Sequence, residues 1–379
     1  MGNAEYWNGD IPWFSSKDIK SFDLESSQDH ITKIAVTNSA TRVVDAGTIL
    51  LVGRSGILAH TLPIGIVRQP SAFNQDIRAI VPEPAFDSEF IAIYLKALQP
   101  IIIKDGVKRG PTVHSLEAGY IENVEIPVFP IDQQRRIAAT LKAQLAEVET
   151  TRRAVKEQLR ELSLLPSRII NDVFNEINGE PTTLDEILVE IQTGKSFQTA
   201  ETLAGPDELG VLKVSAVTWT EFRPDEAKAL RVVYDPAESH KVKNGDFIIS
   251  RANTKEFVGA VVLVDRDYPN RLLSDKTLRL VVDERRVCKE FLIFALRTSM
   301  ARRHIEHYAT GTSDSMRNIS QGTITSIPLR LPELNEQRRL ATQLKTRLKE
   351  VTEIRSAIET QLQEIEKLPN RILAQAFES

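Results

Sequence analysis

Residues 126–145 read IPVFPIDQQRRIAATLKAQL, and residues 327–348 read IPLRLPELNEQRRLATQLKTRL. The two segments are copies of one motif, and from Gln134 and Gln337 onward they align at a constant offset of 203 residues to the end of the chain. A repeat with so long a period indicates two equivalent halves rather than a stack of short repeats.

Upstream of these segments the repeat is fainter but still legible. Residues 14–19 (FSSKDI) align with residues 212–217 (LKVSAV), and residues 47–51 with residues 245–249. Each half therefore consists of a divergent globular block followed by a well-matched helix. The second block has about 30 residues before LKVSAV and the first only 13 before FSSKDI, so we expect the first block to be shortened at its start. The predicted domains are a first block at 1–130, a first helix at 131–179, a second block at 180–331 and a second helix at 332–379.

Both helices carry apolar residues at heptad spacing, which predicts a coiled coil. Because each apolar stripe needs a partner and the halves are equivalent, we expect the two helices to pair antiparallel. The alternative is that each helix packs only on its own globular block. The predicted seam comprises Leu141, Leu145, Val148, Val155, Leu159 and Leu162 in the first helix, and Leu344, Leu348, Val351, Ile358, Leu362 and Ile365 in the second.

Each helix also contains one proline, Pro166 or Pro369. Proline removes a helical hydrogen bond and clashes with the preceding turn, so we expect a kink or break there. A straight rod of roughly 33 residues, about 50 Å long, would precede it. The apolar ends beyond the prolines are equally compatible with a partner-binding surface and with packing on the chain's own blocks.

The globular blocks contain short apolar runs rich in β-branched residues and bounded by turn residues, which predict strands. Helical periodicity appears in residues 88–97 and 289–307. The predicted fold class is therefore mixed α/β (α+β). Two blocks with irregular β-sheets are joined by two long helices that form an antiparallel coiled coil.

Composition excludes several classes of protein. A chain of 379 residues with 41% hydrophobic and 26% charged residues is long enough for two or three globular domains. One cysteine, Cys288, allows neither a disulfide framework nor a cysteine-based zinc site. The absence of a long apolar run and of a signal-peptide pattern leads us to expect a cytoplasmic protein with no membrane partner. A net charge of −4 means that any DNA contact must come from local surfaces or from partners.

Catalytic and cofactor motifs are absent from the sequence. No Asn/Asp-Pro-Pro-aromatic segment for holding a flipped base and no glycine-rich cofactor loop is present. Residues 193–196 resemble the end of a phosphate-binding loop, but Val189 replaces the first glycine, which predicts an ordinary turn. We therefore expect neither catalytic residues nor a bound metal or cofactor in this chain.

Turn segments that combine basic or amide side chains with glycine are the candidate DNA-contacting sites. Arginine and lysine match guanine's acceptors, asparagine matches adenine, and glycine lets the backbone approach a phosphate. Each segment taken singly is more often a solvated loop, but their recurrence in both halves favours DNA binding. The candidate residues are Lys17, Arg54, Ser55, Lys104, Lys108, Arg109, Lys195, Ser196, Arg251, Asn253, Lys255, Arg302 and Arg303.

These segments together resemble one known family. GDIPWFSSKDI (9–19), GTILLVGRSG (47–56), FNQDIRAIVP (73–82) and IPVFPIDQQRRI (126–137), with NGDFIISRAN (244–253) in the second half, are similar to the specificity subunit of type I restriction-modification systems. The resemblance implies that each block is a target recognition domain for one half of a split, asymmetric DNA sequence. It also implies that the helices set the length of the unread spacer.

The resemblance further implies a non-catalytic subunit on double-stranded DNA. Its implied partners are two adenine methyltransferase subunits, which bind S-adenosylmethionine, and two restriction/translocase subunits, which use ATP and Mg²⁺. Two other functions compete with this interpretation: a coiled-coil scaffold that reads no DNA, and a self-contained DNA-modifying enzyme. Cofactor-dependent activity of the purified chain alone would favour the enzyme.

Overall fold

The computed structural model describes residues 3–219, 221–231, 235–314 and 316–377. The chain divides into two compact units, Met1–Glu157 with Glu359–Ser379, and Gln158–Ile358. The boundary between the units falls inside both long helices. Each unit therefore contains one globular block and a segment of each helix.

The first block is built from eleven strands and four short helices in its described residues. The strands are β1 (Trp7–Phe14), β2 (Asp23–Leu24), β3 (Asp29–Ile31), β4 (Val43–Val44), β5 (Ile49–Val52), β6 (Arg54–Ser55), β7 (Ile64–Val67), β8 (Ser71–Phe73), β9 (Ile77–Ile80), β10 (Val107–Lys108) and β11 (His114–Leu116). The helices are α1 (Lys33–Asn38), α2 (Ser88–Ala97), α3 (Gln99–Asp105) and α4 (Ala118–Glu122), followed by the long helix α5 (Ile131–Glu176). The strands form three sheets, in the orders β3-β1-β8-β4, β2-β7-β5-β9 and β10-β11-β6.

The second block repeats this plan with additional strands. Its strands are β12 (Glu180–Thr183), β13 (Leu188–Thr193), β14 (Thr199–Leu203), β15 (Gly210–Leu212), β16 (Ala227–Leu230), β17 (Lys241–Val242), β18 (Phe247–Ser250), β19 (Ala252–Asn253), β20 (Val261–Leu263), β21 (Tyr268–Leu272), β22 (Thr277–Val282), β23 (Thr310–Ser313), β24 (Met316–Asn318) and β25 (Pro328–Leu331). Its helices are α6 (Lys289–Ala295), α7 (Ser299–Tyr308) and α8 (Gln321–Thr325), followed by the long helix α9 (Leu334–Phe377). The sheets run β12-β25, β13-β22-β18-β20, β14-β16-β15-β21-β17 and β19-β24-β23.

The strand pairing shows that the core sheet of each block has the same arrangement. In the first block, β5 lies between β7 and β9, and all four β5 residues are buried. In the second block, β18 lies between β20 and β22 and is buried in the same way. The predicted mixed α/β fold with irregular sheets is confirmed.

The second block has strands that the described residues of the first block lack. β13 covers the outer edge of β22, and β12 pairs with β25, whereas β9 is an edge strand. The consequence is visible in side-chain exposure: Val81 is 71% and Val128 80% exposed, while Leu329, which aligns with Val128 in the repeat, is 2% exposed. The first block is therefore missing a strand layer that shields apolar residues in the second.

Helices α5 and α9 run without interruption through Pro166 and Pro369. Of the predicted kink or break, the break is therefore wrong and the kink stays a prediction. A proline inside a helix costs about 3 kcal/mol, but apolar side chains beyond each proline are buried, among them Phe174 after Pro166 and Leu373 after Pro369. Their burial, worth about 1.5–3 kcal/mol for each large side chain, offsets that cost. No helix in the described residues has an apolar stretch long enough to cross a membrane.

In each unit the two helical segments run antiparallel. In the first unit, Leu141 near the start of α5 shares a core with Leu373 near the end of α9, and Lys156 farther along α5 pairs with Glu366 at 3.5 Å. In the second unit, Phe174 near the end of α5 shares a core with Leu344 near the start of α9. All twelve predicted seam residues are buried or half-buried.

The end of α9 packs on the first block. The Phe377 ring lies 6.0 Å from the Phe90 ring and 5.0 Å from the Tyr94 ring, centroid to centroid. The alternative that each helix packs only on its own block is therefore wrong. The apolar ends of the helices are covered by the chain itself, since Phe174 likewise stacks on Phe291 at 5.1 Å.

Candidate nucleic-acid interface

The three-stranded sheet of the first block gathers several of the predicted DNA-contacting residues. Ser115 pairs with Arg54 on one side and with Lys108 on the other. Residues directly opposite one another in a sheet share a face. Arg54, Ser115 and Lys108 therefore form one row across the sheet, in which both basic residues are exposed.

Alternation along the strands fixes which face this row occupies. Val107 pairs with Leu116, and both pack in the core of the block. Their neighbours Lys108 and Ser115 must then point to the opposite face, toward solvent. Lys104 in the last turn of α3 and Arg109 just after β10 add exposed positive charge beside the row, so this face can contact phosphates.

The second block builds the same sheet with different side chains. Asn318 pairs with Ala252 on one side and with Thr310 on the other. The row equivalent to Arg54, Ser115 and Lys108 is thus Ala252, Asn318 and Thr310. The β23–β24 hairpin is braced by Arg317, which donates to the Gly311 carbonyl at 3.0 Å and to Asp314 at 2.7 Å.

Two of the predicted DNA-contacting residues make hydrogen bonds within their own block. Asn253 is only 9% exposed, and its amide donates to the Val214 carbonyl at 3.2 Å and accepts from the Thr254 N–H at 2.9 Å. The Arg302 guanidinium donates to the Val258 carbonyl at 2.6 Å and lies 4.9 Å from the Trp219 ring centroid. Both side chains are therefore engaged within the block, and their contact with DNA stays a prediction.

The remaining predicted residues lie at other positions in their blocks. Lys17 follows β1 and pairs with Asp29 at 3.1 Å, and Arg303 is exposed on α7. The Arg251 backbone N–H donates to the Lys276 carbonyl at 2.9 Å, next to β19. Lys255 is exposed, with its backbone N–H bonded to Asp314. Ser55 lies beside Arg54 in β6, where it pairs with His114.

Lys195 and Ser196 line a cavity at the ends of β15 and β21, together with lysines that the sequence interpretation missed. Lys213, Lys228 and Lys276 also line this cavity, which has a volume of about 300 Å³. Lys213 pairs with Glu226 at 2.5 Å, and this hydrogen bond lowers the pKa of the Glu226 carboxyl. Strand alternation could have identified Lys228 from the sequence, since its neighbours Ala227 and Ala229 are both buried.

Comparison with known proteins relates the first block to a described protein domain. Residues 2–161, which span the first block and the start of α5, match the family model described as type I restriction modification DNA specificity domain. The Escherichia coli K12 EcoKI specificity subunit is 23% identical over 311 residues, covering 78% of this chain and 66% of that protein. Residues 2–161 are therefore similar to the DNA specificity domain of type I restriction-modification systems.

Another specificity subunit matches over a shorter region. The Escherichia coli EcoR124I/EcoR124II specificity subunit is 35% identical over 138 residues, which is 36% of this chain. That alignment spans 34% of the relative's own length, about one third.

Solved structures of this family share the fold. The HsdS subunit from Thermoanaerobacter tengcongensis has a TM-score of 0.60 at 18% identity, covering 97% of this chain and 90% of that one. A chain from a type I R-M system, solved to explain complex assembly and conformational transition, has a TM-score of 0.73 at 17% identity, covering 98% and 91%. The chain thus shares its fold of globular blocks and long helices with these two solved structures.

Proposed function

We propose that this chain is the DNA sequence-specificity subunit of a type I restriction-modification complex. Each block would read one half of a split, asymmetric DNA target. The observation that carries the proposal is the sheet built at the same place in both blocks. Its outward row is Arg54, Ser115 and Lys108 in the first block and Ala252, Asn318 and Thr310 in the second. Equivalent surfaces with different side chains suit two readers of different sequences.

The catalytic steps would belong to partner subunits. In this proposal two methyltransferase subunits carry S-adenosylmethionine, and two restriction/translocase subunits use ATP and Mg²⁺. The net charge of −4 supports such an assembly, because most of the positive surface that surrounds DNA would come from the partners. The chain itself would supply recognition and a scaffold.

The two long helices would set the length of the unread spacer between the half-sites. Half-sites read from one face of a duplex lie about 34 Å apart. Helices of 46 and 44 residues are longer than this distance, since each residue adds about 1.5 Å. The helices are therefore long enough to act as a spacer between two readers.

A long-read map of N6-methyladenine in the host genome, with and without the gene, tests the proposal. We expect deletion to remove methylation at one split motif, and complementation with the unaltered gene to restore it. Persistence of every methylated motif after deletion would refute the specificity role.

A complemented double variant links that motif to the sheet. Arg54→Ala with Lys108→Ala should lower methylation at the motif, because two exposed phosphate-contacting cations are lost. The matched control is Arg136→Ala with Arg153→Ala, which removes two exposed charges from α5 and should leave methylation unchanged. Equal effects of the two double variants would show that net charge, rather than the sheet, matters.

A further inference from the structure

A cavity with several polar side chains in its wall lies at the same position of the sheet in both blocks. Trp13 in β1 pairs in parallel with Ala72 in β8, and Val211 in β15 pairs in parallel with Leu272 in β21. The residues just after β8 line the first cavity, and those just after β21 line the second. The shared strand geometry makes the two cavities equivalent.

The cavity of the first block is lined by amides. It has a volume of about 380 Å³, and Asn74, Gln75 and Arg42 contribute its long polar side chains. The Asn74 side-chain oxygen accepts from the Asp76 N–H at 3.1 Å, while its NH₂ group has no partner among the described residues. The Trp13 indole N–H on the cavity wall is buried and makes no hydrogen bond within the described part of the chain. The cavity thus offers hydrogen-bonding groups that the protein leaves unused.

The cavity of the second block is lined by lysines. Lys195, Lys213, Lys228 and Lys276 contribute ammonium groups. Lys228 pairs with Glu201 at 3.3 Å, but that carboxylate side chain is 86% exposed, so the pair is weak and exchangeable. The same place in the fold therefore presents two amides and one arginine in the first block, and four lysines and Asp275 in the second.

Equivalent backbone bonds join each cavity to the three-stranded sheet. The N–H groups of Gly53 and Arg54 donate to the Asp76 carbonyl at 2.7 and 3.0 Å, and the Arg251 N–H donates to the Lys276 carbonyl at 2.9 Å. Residues 75 and 276 on the cavity walls are thus adjacent to the start of the sheet. A duplex held on the sheet would therefore lie close to the cavity of that block.

We propose that these two cavities hold the base-specific contacts of the two half-sites. This proposal rests on the proposed DNA-specificity function. The first cavity would read an adenine through Asn74 and Gln75, because their amides match adenine's N6 and N7. The second cavity would read a guanine through Lys228 and Lys276, because lysine matches guanine's O6 and N7.

Binding of the full chain, purified with its methyltransferase partner, tests this assignment. The probes are duplexes carrying the motif mapped in the host and single base-pair changes at each position. Asn74→Ala with Gln75→Ala should reduce discrimination at one adenine of the first half-site by about tenfold or more, and leave the second half-site unaffected. Lys228→Ala with Lys276→Ala should do the same at one guanine of the second half-site.

Asn74→Asp should change which base the first cavity prefers rather than abolish the discrimination between bases. A carboxylate accepts from cytosine N4, so the preferred base at that position should move from adenine toward cytosine. Gln133→Ala, an exposed amide on α5, is the matched control and should change nothing. Unaltered discrimination at every position in the cavity variants would overturn the inference. If gene deletion still removes the methylated motif, the proposed function survives that result; if deletion removes no motif, both fail.

Discussion

The side-chain oxygen of Gln134 accepts a hydrogen bond from the backbone N–H of Asp87 at 2.9 Å, at the junction of α5 and the first block. Gln134 also donates to the carbonyls of Ala85 at 3.0 Å and Phe129 at 2.8 Å. In the second half, Gln337 makes the same three bonds. It accepts from the Cys288 N–H at 2.9 Å and donates to the carbonyls of Arg286 and Pro332 at 3.0 and 2.9 Å. Both amides are buried, which explains why this junction is the clearest part of the repeat.

Replacing this glutamine should destabilise the block that it joins. Gln134→Leu leaves one N–H and two carbonyls without their partner in a buried site, and each buried unsatisfied group costs about 1–3 kcal/mol. We expect the free energy of unfolding of the first unit to fall by about 3 kcal/mol, measured by urea denaturation. Gln133→Leu, an exposed neighbour in the same helix, should change it by less than about 0.5 kcal/mol. Equal effects of the two variants would contradict the role of Gln134.

Periodicity and repetition were sufficient to predict the two-block plan, the long helices and their seam. The break at Pro166 was wrong because local sequence shows the cost of a proline but not the tertiary burial of Phe174 beyond it. The exposure of Val81 and Val128 could not be predicted from the sequence either, because it depends on which strand lies beside them.

The candidate interface was predictable only where strand alternation exposes a side chain. Arg54 and Lys108 lie on one outward-facing row. This agrees with the sequence, in which each is a basic residue of a turn segment beside a short strand. Asn253 and Arg302 have the same local sequence character but donate to carbonyls from distant segments. Lys276 went unrecognised because its place on a cavity wall comes from the pairing of β15 with β21.

Acid should weaken the attachment of α5 to the first block. Asp23 and Glu89 of the block contact Arg68 and Lys142. Burial would raise the pKa of both carboxyls, but hydrogen bonds from Arg68 and Lys142 outweigh it and the pKa of each is lowered. Since the folded pKa lies below the unfolded value of about 4, this contribution to stability is complete above that pH and is lost as pH falls through the folded pKa.

Lys142→Met should therefore flatten the pH dependence of stability. We expect the Tm of the first unit to fall less steeply below about pH 4 in this variant than in the unaltered chain. Arg136→Met removes an exposed charge from the same helix and should keep the original slope. Parallel Tm curves for Lys142→Met and the unaltered chain would exclude a role for this cluster.

Lengthening both long helices should lengthen the unread DNA spacer. One heptad inserted into each helix, after Glu157 and after Ile358, preserves the apolar seam and adds about 10 Å. Methylome mapping should then show the same two half-sequences separated by a longer gap, by up to about three base pairs. A heptad in only one helix leaves the antiparallel partner unmatched and should reduce methylation. Unchanged spacing in the double insertion would refute the proposed spacer role.

The uncovered edge of the first block should accept a copy of the strands that cover the second. Residues 177–193 follow α5 and supply β12 and β13, which pair with β25 and β22. The end of α9 packs on the first block through Phe377, as α5 packs on the second through Phe174. A copy of residues 177–193 appended after Ser379 continues the repeat at its own offset, so it should pair with β9 and with residues 127–130.

Such an extended chain should unfold at a higher temperature in its first unit, because Val81 and Val128 lose their exposure to water and β9 gains a hydrogen-bonded neighbour. Hydrogen exchange would locate the effect, with new protection of backbone amides in β9. The control carries a proline in the appended copy at the position of Ile191. Since proline cannot donate to a ladder, it should abolish the protection. Equal exchange of β9 in the unextended chain and in both extended chains would show that this edge does not bind the added strands.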